Sequence, residues 1–120
     1  MSTSKNMVQT AFSALDEKLA VDINVIDISH VSVVADYFII AAGNSANQVQ
    51  AIADNVIEKM GKAGYDLRQV EGYQSARWIL LDYHDVVIHV FYQEDRRFYD
   101  LERIWRDGKF IDAEEFRQEK

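Results

Sequence analysis

The chain has 120 residues, 48% of them hydrophobic, which predicts one folded domain with a single core rather than a disordered tail. Its 13 basic and 20 acidic side chains give a net charge of −7, which argues against a protein that binds nucleic acid through a basic face. An acidic chain suits a basic partner, although a requirement for solubility alone also explains such a charge. The sequence contains no cysteine, so disulfides, thiol catalysis and thiolate-bound zinc are excluded.

The N-terminal segment predicts an amphipathic helix, because its apolar residues recur at steps of three and four positions. These residues are Val8, Ala11, Phe12, Leu15 and Leu19. Residues 1–6 form no apolar run, and no run elsewhere approaches the ~18 residues that a membrane span needs. We therefore expect a cytoplasmic protein with neither a secretory signal nor a membrane span.

Two strands and a long helix are predicted next. Residues 23–28 alternate as a half-buried strand does, and residues 35–42 are almost entirely apolar, as expected for a central strand covered on both sides. The helix begins after Gly43, and Ser45 with Gln48 fits a capping box at its start. Its apolar stripe consists of Val49, Ile52, Ala53, Val56, Ile57 and Met60, and Gly61 and Gly64 end it.

The second half of the chain predicts three strands and one more helix. The strands cover residues 65–70, 77–83 and 86–92, and the last two form a hairpin joined at His84 and Asp85. The helix covers residues 97–106, where the residues at helical steps are Phe98, Leu101, Ile104 and Trp105.

These elements predict an α/β fold with a mixed sheet of about five strands flanked by helices. We expect one domain over residues 1–120, with an N-terminal helix within residues 1–21 and a polar tail over residues 113–120.

The hairpin register determines which side chains share a face of the sheet. One face pairs Leu81 with Ile88 and Ile79 with Val90, so it is apolar and belongs on the core. The opposite face carries Trp78, Leu80, Asp82, Val87, His89 and Phe91.

Two interpretations of that opposite face remain open. In the first, it lies beneath a helix, and Asp82 and His89 satisfy each other as a buried pair. In the second, it is partly open and offers Trp78 and Phe91 as anchors surrounded by polar groups, which is the composition of a protein-binding surface.

The residues give little support for catalysis. The turn Gly43-Asn44-Ser45 offers backbone N–H groups to a phosphate, but it lacks the lysine of a Walker loop and is also an ordinary strand-to-helix connection. Arg68 follows Asp66 at the position where a nucleotidyltransferase needs its second carboxylate. The histidines have no metal-ligand spacing, so we expect no catalytic, cofactor-binding or metal-binding residues.

Five motif blocks occur in order between about residue 23 and residue 112: Ala35–Ile40 with Gly43 and Ser45, then Glu71-Gly72, Trp78–Asp82, Val87–Phe91 and Tyr99–Trp105. Together they resemble the ribosomal silencing factor family, also called Iojap-like. The sequence departs from the family pattern at Ala42 and Asn44, where a hydroxyl residue is more usual. The resemblance implies a small α/β domain, distantly similar to nucleotidyltransferases but without their catalytic carboxylates, and no enzymatic activity.

The resemblance also implies a function and a partner. Such a protein binds the large ribosomal subunit through its protein numbered fourteen, sterically blocks joining of the small subunit and so represses translation. The net charge predicts little direct contact with RNA. Two alternatives remain, a nucleotide-binding or nucleotidyltransferase-like enzyme that uses Gly43-Asn44-Ser45 and Asp82, and a homodimer closed through Trp78 and Phe91.

The family motifs identify candidate structural or interface residues, which are Asp36, Tyr37, Trp78, Asp82, His89, Phe91, Tyr99, Leu101, Glu102 and Trp105. For partner binding we select Trp78, Asp82, His89, Phe91, Tyr99, Leu101 and Glu102. Leu101 and Trp105 also fit a purely structural role, because they fall on a helical apolar stripe.

Overall fold

A mixed sheet of six strands lies at the centre of the computed structural model, which describes residues 3–112 and 114–117. The elements in chain order are α1 (Thr3–Glu17), β1 (Val21–Asp27), β2 (Tyr37–Gly43), α2 (Ala46–Lys62), β3 (Gln69–Glu71), β4 (Trp78–Asp82), β5 (Val86–Tyr92), α3 (Gln93–Tyr99), α4 (Leu101–Ile104), β6 (Lys109–Ile111) and α5 (Glu114–Arg117). The strand order is β3-β4-β5-β2-β1-β6, with β2 parallel to β5 and every other pair antiparallel. The predicted α/β class is confirmed, with one strand more than expected.

Helices α1 and α2 cover one face of the sheet and bury the main core. The apolar stripe of α2 lies against β2 and β5, and the two helices also pack on each other. Asn55 joins them, because its side-chain amide donates to the Ala14 carbonyl at 2.9 Å and to the Glu17 carboxylate at 2.8 Å. A buried amide with both bonds made stabilises one packing arrangement of the pair.

The start of α2 follows the sequence prediction in most respects. The Ser45 hydroxyl accepts a hydrogen bond from the Gln48 backbone N–H at 3.1 Å, as a helix cap does. The Gln48 side chain accepts from the backbone N–H of Asn44 at 2.6 Å rather than from that of Ser45, so the reciprocal bond of the capping box is shifted by one residue.

The hairpin has the predicted register. Trp78, Leu80 and Asp82 stand opposite Phe91, His89 and Val87, while Ile79 and Leu81 stand opposite Val90 and Ile88. The second set is fully buried in the core beneath α1 and α2, as its alternation predicted.

Two predicted elements differ from the structure. The third strand is limited to Gln69–Glu71 instead of residues 65–70. The helix expected over residues 97–106 is broken at Asp100, whose left-handed backbone (φ 51°) ends α3 and begins α4. The break changes the helical phase, so Ile104 is 65% exposed instead of buried. The side chain of Phe98 lies outside what the structure describes.

Both ends of the described chain pack on the domain. Leu19 lies beyond α1 in a left-handed conformation and is 78% exposed, so its assignment to the apolar stripe is wrong. The predicted polar tail is wrong at Phe116, which is buried with its ring 5.3 Å from that of Phe12. The Gln9 side chain also donates to the Phe116 carbonyl at 3.0 Å. Ala113 and residues 118–120 lie outside the described residues. None of the helices in the described part of the chain has both the length and the apolar composition that a membrane span needs.

Candidate protein-docking surface

A cluster of six aromatic rings occupies the second face of the sheet, where α3 and α4 partly cover it. Within the described residues this aromatic cluster consists of Phe38, Trp78, His89, Phe91, Tyr99 and Trp105. The Trp78 ring is 5.0 Å from Phe91 and 4.6 Å from Tyr99, while Phe38 is 4.8 Å from His89 and 5.0 Å from Trp105. These separations are typical of favourable ring pairs, so the cluster joins β2, β4 and β5 to α3 and to Trp105, the residue that follows α4.

Burial divides the cluster into covered and accessible members. Phe91 is 0% exposed and His89 is 4% exposed, so neither has surface to offer a partner. Tyr99 is 38% exposed, and Trp78 is half-buried. The second face of the sheet is therefore covered over β5, as in the first interpretation from the sequence. It is open at β4, as in the second.

The open part follows strand β4. Its alternate residues Trp78, Leu80 and Asp82 are all half-buried, and we call these three residues the β4 strip. Exposed Glu71 and Gln69 of β3 stand opposite Leu80 and Asp82. Leu80 was not selected from the sequence, although its position two residues from both Trp78 and Asp82 places it on the same face.

The buried pair of Asp82 and His89, which belonged to the first of the two interpretations, does not form. The Asp82 carboxylate accepts the backbone N–H of His84 at 2.8 Å, at the end of the hairpin. His89 instead accepts at Nδ1 the indole N–H of Trp78, at 3.1 Å.

The His89 ring is neutral in this environment. Burial lowers its pKa to about 4, with a smaller opposing effect from the Glu102 charge. Because Nδ1 is an acceptor in a neutral ring, the proton lies on Nε2. Nε2 is buried and has no hydrogen-bond partner among the described residues.

The half-buried Glu102 carboxylate is hydrogen-bonded within the domain. Arg96 donates to its carboxylate from Nε at 3.0 Å and from Nη2 at 2.6 Å, and Asn24 donates at 3.0 Å. Burial alone would raise the pKa of Glu102, but the hydrogen bonds and charge of Arg96 hold it below the usual value. Arg96 also donates to the carbonyls of Val21 and Asp22, at the bulge of β1.

The remaining motif residues have structural positions. Leu101 is buried against the second face, next to half-buried Trp105. Asp36 accepts the Ser4 hydroxyl at 2.7 Å and so joins the start of β2 to α1. Tyr37 packs against the core on the α1 and α2 side, away from the aromatic cluster.

The turn after β2 is explained by packing. A Cβ atom at Gly43 would lie 3.1 Å from the Val49 side chain and 3.3 Å from that of Ile52, so glycine lets α2 approach the sheet closely. The Asn44 N–H and the Ser45 hydroxyl are both bonded to Gln48. The described residues contain no group of three or more histidine or carboxylate side chains able to hold a metal ion.

Comparison with known proteins agrees with this architecture. The family described as "Ribosomal silencing factor during starvation" matches residues 1–120. The ribosomal silencing factor RsfS of Bacillus subtilis is 42% identical over 110 residues, which cover 92% of this chain and 93% of that protein. A crystal structure from Chromobacterium violaceum has a TM-score of 0.85 at 35% identity and covers 87% of each chain.

A more distant relative is the mouse protein named "Mitochondrial assembly of ribosomal large subunit protein 1", which is 31% identical over 83% of this chain and 45% of its own length. The predicted similarity to nucleotidyltransferases stays a prediction. The expectation of a translational regulator that associates with the ribosome, and is not an enzyme, agrees with the family match. From the match over its whole length, together with these relatives, this chain belongs to the ribosomal silencing factor family.

Proposed function

We propose that this protein acts in the cytoplasm by binding the large ribosomal subunit through its protein numbered fourteen and blocking the small subunit from joining. The proposal rests on the composition of the β4 strip, in which Trp78 and Leu80 lie beside the Asp82 carboxylate on an open part of the sheet. The name of the mouse relative connects that protein with the large subunit and supports the choice of subunit.

The composition of the surface favours a protein partner. Tryptophan and tyrosine are enriched among the residues that dominate interface energies, and Trp78 and Tyr99 are both accessible. Phe91 and His89 lie behind them and contribute rigidity rather than contact area. Leu80 adds apolar area between the aromatic and acidic ends of the strip.

The charge favours a basic partner. Asp82 and Glu71 lie on the open face, and the whole chain carries a net charge of −7. This field repels the phosphates of RNA and attracts a basic protein, and it acts mainly on the association rate. A basic ribosomal protein satisfies both conditions, whereas direct binding to ribosomal RNA does not.

Steric exclusion requires only that the bound domain protrude. The domain measures 36 × 32 × 28 Å, and a stable interface of ~800 Å² covers a small part of its surface. Helices α1 and α2, on the far side of the sheet from the strip, would then occupy space next to the large subunit. No chemical step is needed.

Co-sedimentation with purified ribosomal particles tests the proposal. We expect binding to free large subunits and not to joined ribosomes, and loss of binding in Trp78→Ala and Asp82→Lys. Glu58→Lys is the matched control, because it makes the same change of charge on α2, on the opposite side of the sheet. Wild-type binding by both strip variants would show that the face is wrongly assigned.

A second measurement identifies the partner. A pull-down with the isolated ribosomal protein numbered fourteen, in the absence of RNA, is expected to retain the wild-type chain and not Trp78→Ala. Sedimentation of the free protein at several concentrations, again compared with Trp78→Ala, determines whether the same strip also forms a homodimer.

A further inference from the structure

The indole of Trp78 is held by one specific polar contact as well as by packing. Its N–H donates to Nδ1 of His89 at 3.1 Å, between adjacent strands β4 and β5. The acceptor ring is 4% exposed, so solvent has little access to that side of the contact. A half-buried tryptophan whose N–H has a buried partner is restricted to orientations that keep this bond.

The histidine is suited to this role only in one protonation state. As a neutral ring protonated on Nε2, it presents an acceptor at Nδ1, and the charged ring would present two donors and no acceptor. The apolar surroundings, including Phe38 at 4.8 Å and Phe91, favour the neutral ring.

We propose that His89 is a positioning residue, which accepts the Trp78 indole N–H and so fixes the orientation in which Trp78 is presented to the partner. The inference rests on the proposed function and refines it. The buried side chain of His89 would affect docking through Trp78, without itself contacting the partner.

The hydrogen bond also determines which chemical groups of Trp78 are available to a partner. Since the indole N–H is already bonded inside the domain, the accessible part of Trp78 offers ring carbon atoms and no donor. A complementary partner therefore supplies an apolar or cationic side chain to pack on the ring, not an acceptor for the N–H. The acidic Asp82 at the other end of the β4 strip favours the cationic choice.

Two substitutions separate the hydrogen bond from the packing. His89→Asn places an amide oxygen near the position of Nδ1 and keeps an acceptor, whereas His89→Leu fills similar space without an acceptor. Both remove the ring. Ile88→Val, on the same strand but in the opposite core, is the control for a modest loss of packing alone.

The first readout is indole N–H exchange by NMR on the free, full-length protein. The chain has two tryptophans, so Trp105 provides an internal reference, and Trp78→Phe assigns the two signals. We expect the Trp78 N–H to be protected in wild type and His89→Asn and to exchange several-fold faster in His89→Leu, with Trp105 unchanged. Equal exchange of Trp78 in wild type and His89→Leu would overturn the proposal.

The second readout is affinity for purified large ribosomal subunits. We expect His89→Leu to bind about fivefold more weakly than His89→Asn, the effect of one hydrogen bond, and Ile88→Val to bind as wild type. Faster exchange in His89→Leu with unchanged affinity would overturn the positioning role. Failure of the wild type to bind subunits, with its Trp78 N–H still protected, would instead overturn the proposed function and leave the hydrogen bond in place.

Discussion

Arg96 and Glu102 connect α3 to α4 across the break at Asp100, through two hydrogen bonds of 3.0 and 2.6 Å to one carboxylate oxygen. The same guanidinium reaches the carbonyls of Val21 and Asp22, so the two short helices are also fastened to β1. Helices of this length are not stable alone, and this contact adds to the apolar packing of Tyr99 and Leu101 that holds them over the second face of the sheet.

Removing the guanidinium is therefore expected to destabilise the domain. Arg96→Leu leaves the half-buried Glu102 carboxylate without its cation, and we expect the free energy of unfolding to fall by about 2–4 kcal/mol. Urea denaturation measures it. Arg77→Ala, which breaks an exposed ion pair with Asp95, is the comparison and should cost under about 1 kcal/mol. An equal effect of both variants would contradict the role given to Arg96.

We expect the substitution of Leu19 by glycine to stabilise the domain. Leu19 follows α1 with φ 61°, and the Ala20 N–H bonds to the Leu15 carbonyl, the pattern of a helix end that favours glycine. Its side chain is mostly exposed, so little packing is lost. We expect Leu19→Gly to raise the unfolding free energy by about 0.5–1 kcal/mol, whereas Leu19→Ala should give no gain. Thermal and urea unfolding compare the two.

Two glycines are expected to respond oppositely to alanine. At Gly72, with φ 77°, a Cβ would lie 2.1 Å from the Trp78 carbonyl oxygen, so Gly72→Ala should cost more than about 2 kcal/mol and disturb the β4 strip. At Gly61, inside α2, a Cβ meets no atom within 4 Å, so Gly61→Ala should stabilise by about 0.5–1 kcal/mol. Calorimetry of both variants tests the pair, and destabilisation by Gly61→Ala would contradict the packing described for α2.

The buried His89 is expected to make stability depend on pH. Its pKa is about 4 in the fold and 6.5 in the unfolded chain, so between these values the unfolded state binds more protons. Stability therefore falls as the pH falls through this window, by about 2 kcal/mol from pH 7 to pH 5. The lowered pKa values of Glu17, Asp27 and Glu102 act only at lower pH, below the ordinary values of those groups.

His89→Leu isolates that contribution. Over the same range the variant should lose about 2 kcal/mol less than the wild type, whatever its absolute stability. Urea denaturation at several pH values provides the measurement, and parallel curves for the two proteins would show that His89 is not the group responsible.

The hairpin illustrates what the sequence predicts well. Alternation with a period of two, combined with a short turn at His84 and Asp85, leaves one register that buries Ile79, Leu81 and their partners. Helix α2 was equally predictable, because its cap and its apolar stripe are both local signals.

The parts that the sequence did not predict depend on contacts between distant residues. Whether the Trp78 N–H or the Asp82 carboxylate reaches His89 is decided by side-chain direction and by the local bond from His84, which the register leaves open. The break at Asp100 is stabilised by Arg96 and Glu102 acting on β1, far away in the chain. Strand β6 is too short to give a periodic signal, and Phe116 is buried against residues far away in the chain, Phe12 among them.

The parallel pairing of β2 with β5 has a consequence for folding kinetics. Tyr37 and Phe38 pair with Val86 and Val87, which are far away in the sequence, whereas the β4 residues that pair with β5 are close to it in the sequence. Contacts between distant residues form more slowly, so we expect the hairpin to form early and the central pair to close late. Phe38 joins the aromatic cluster only when that pair closes. The aromatic cluster would thus be complete only after the hairpin has formed and β2 has paired with it.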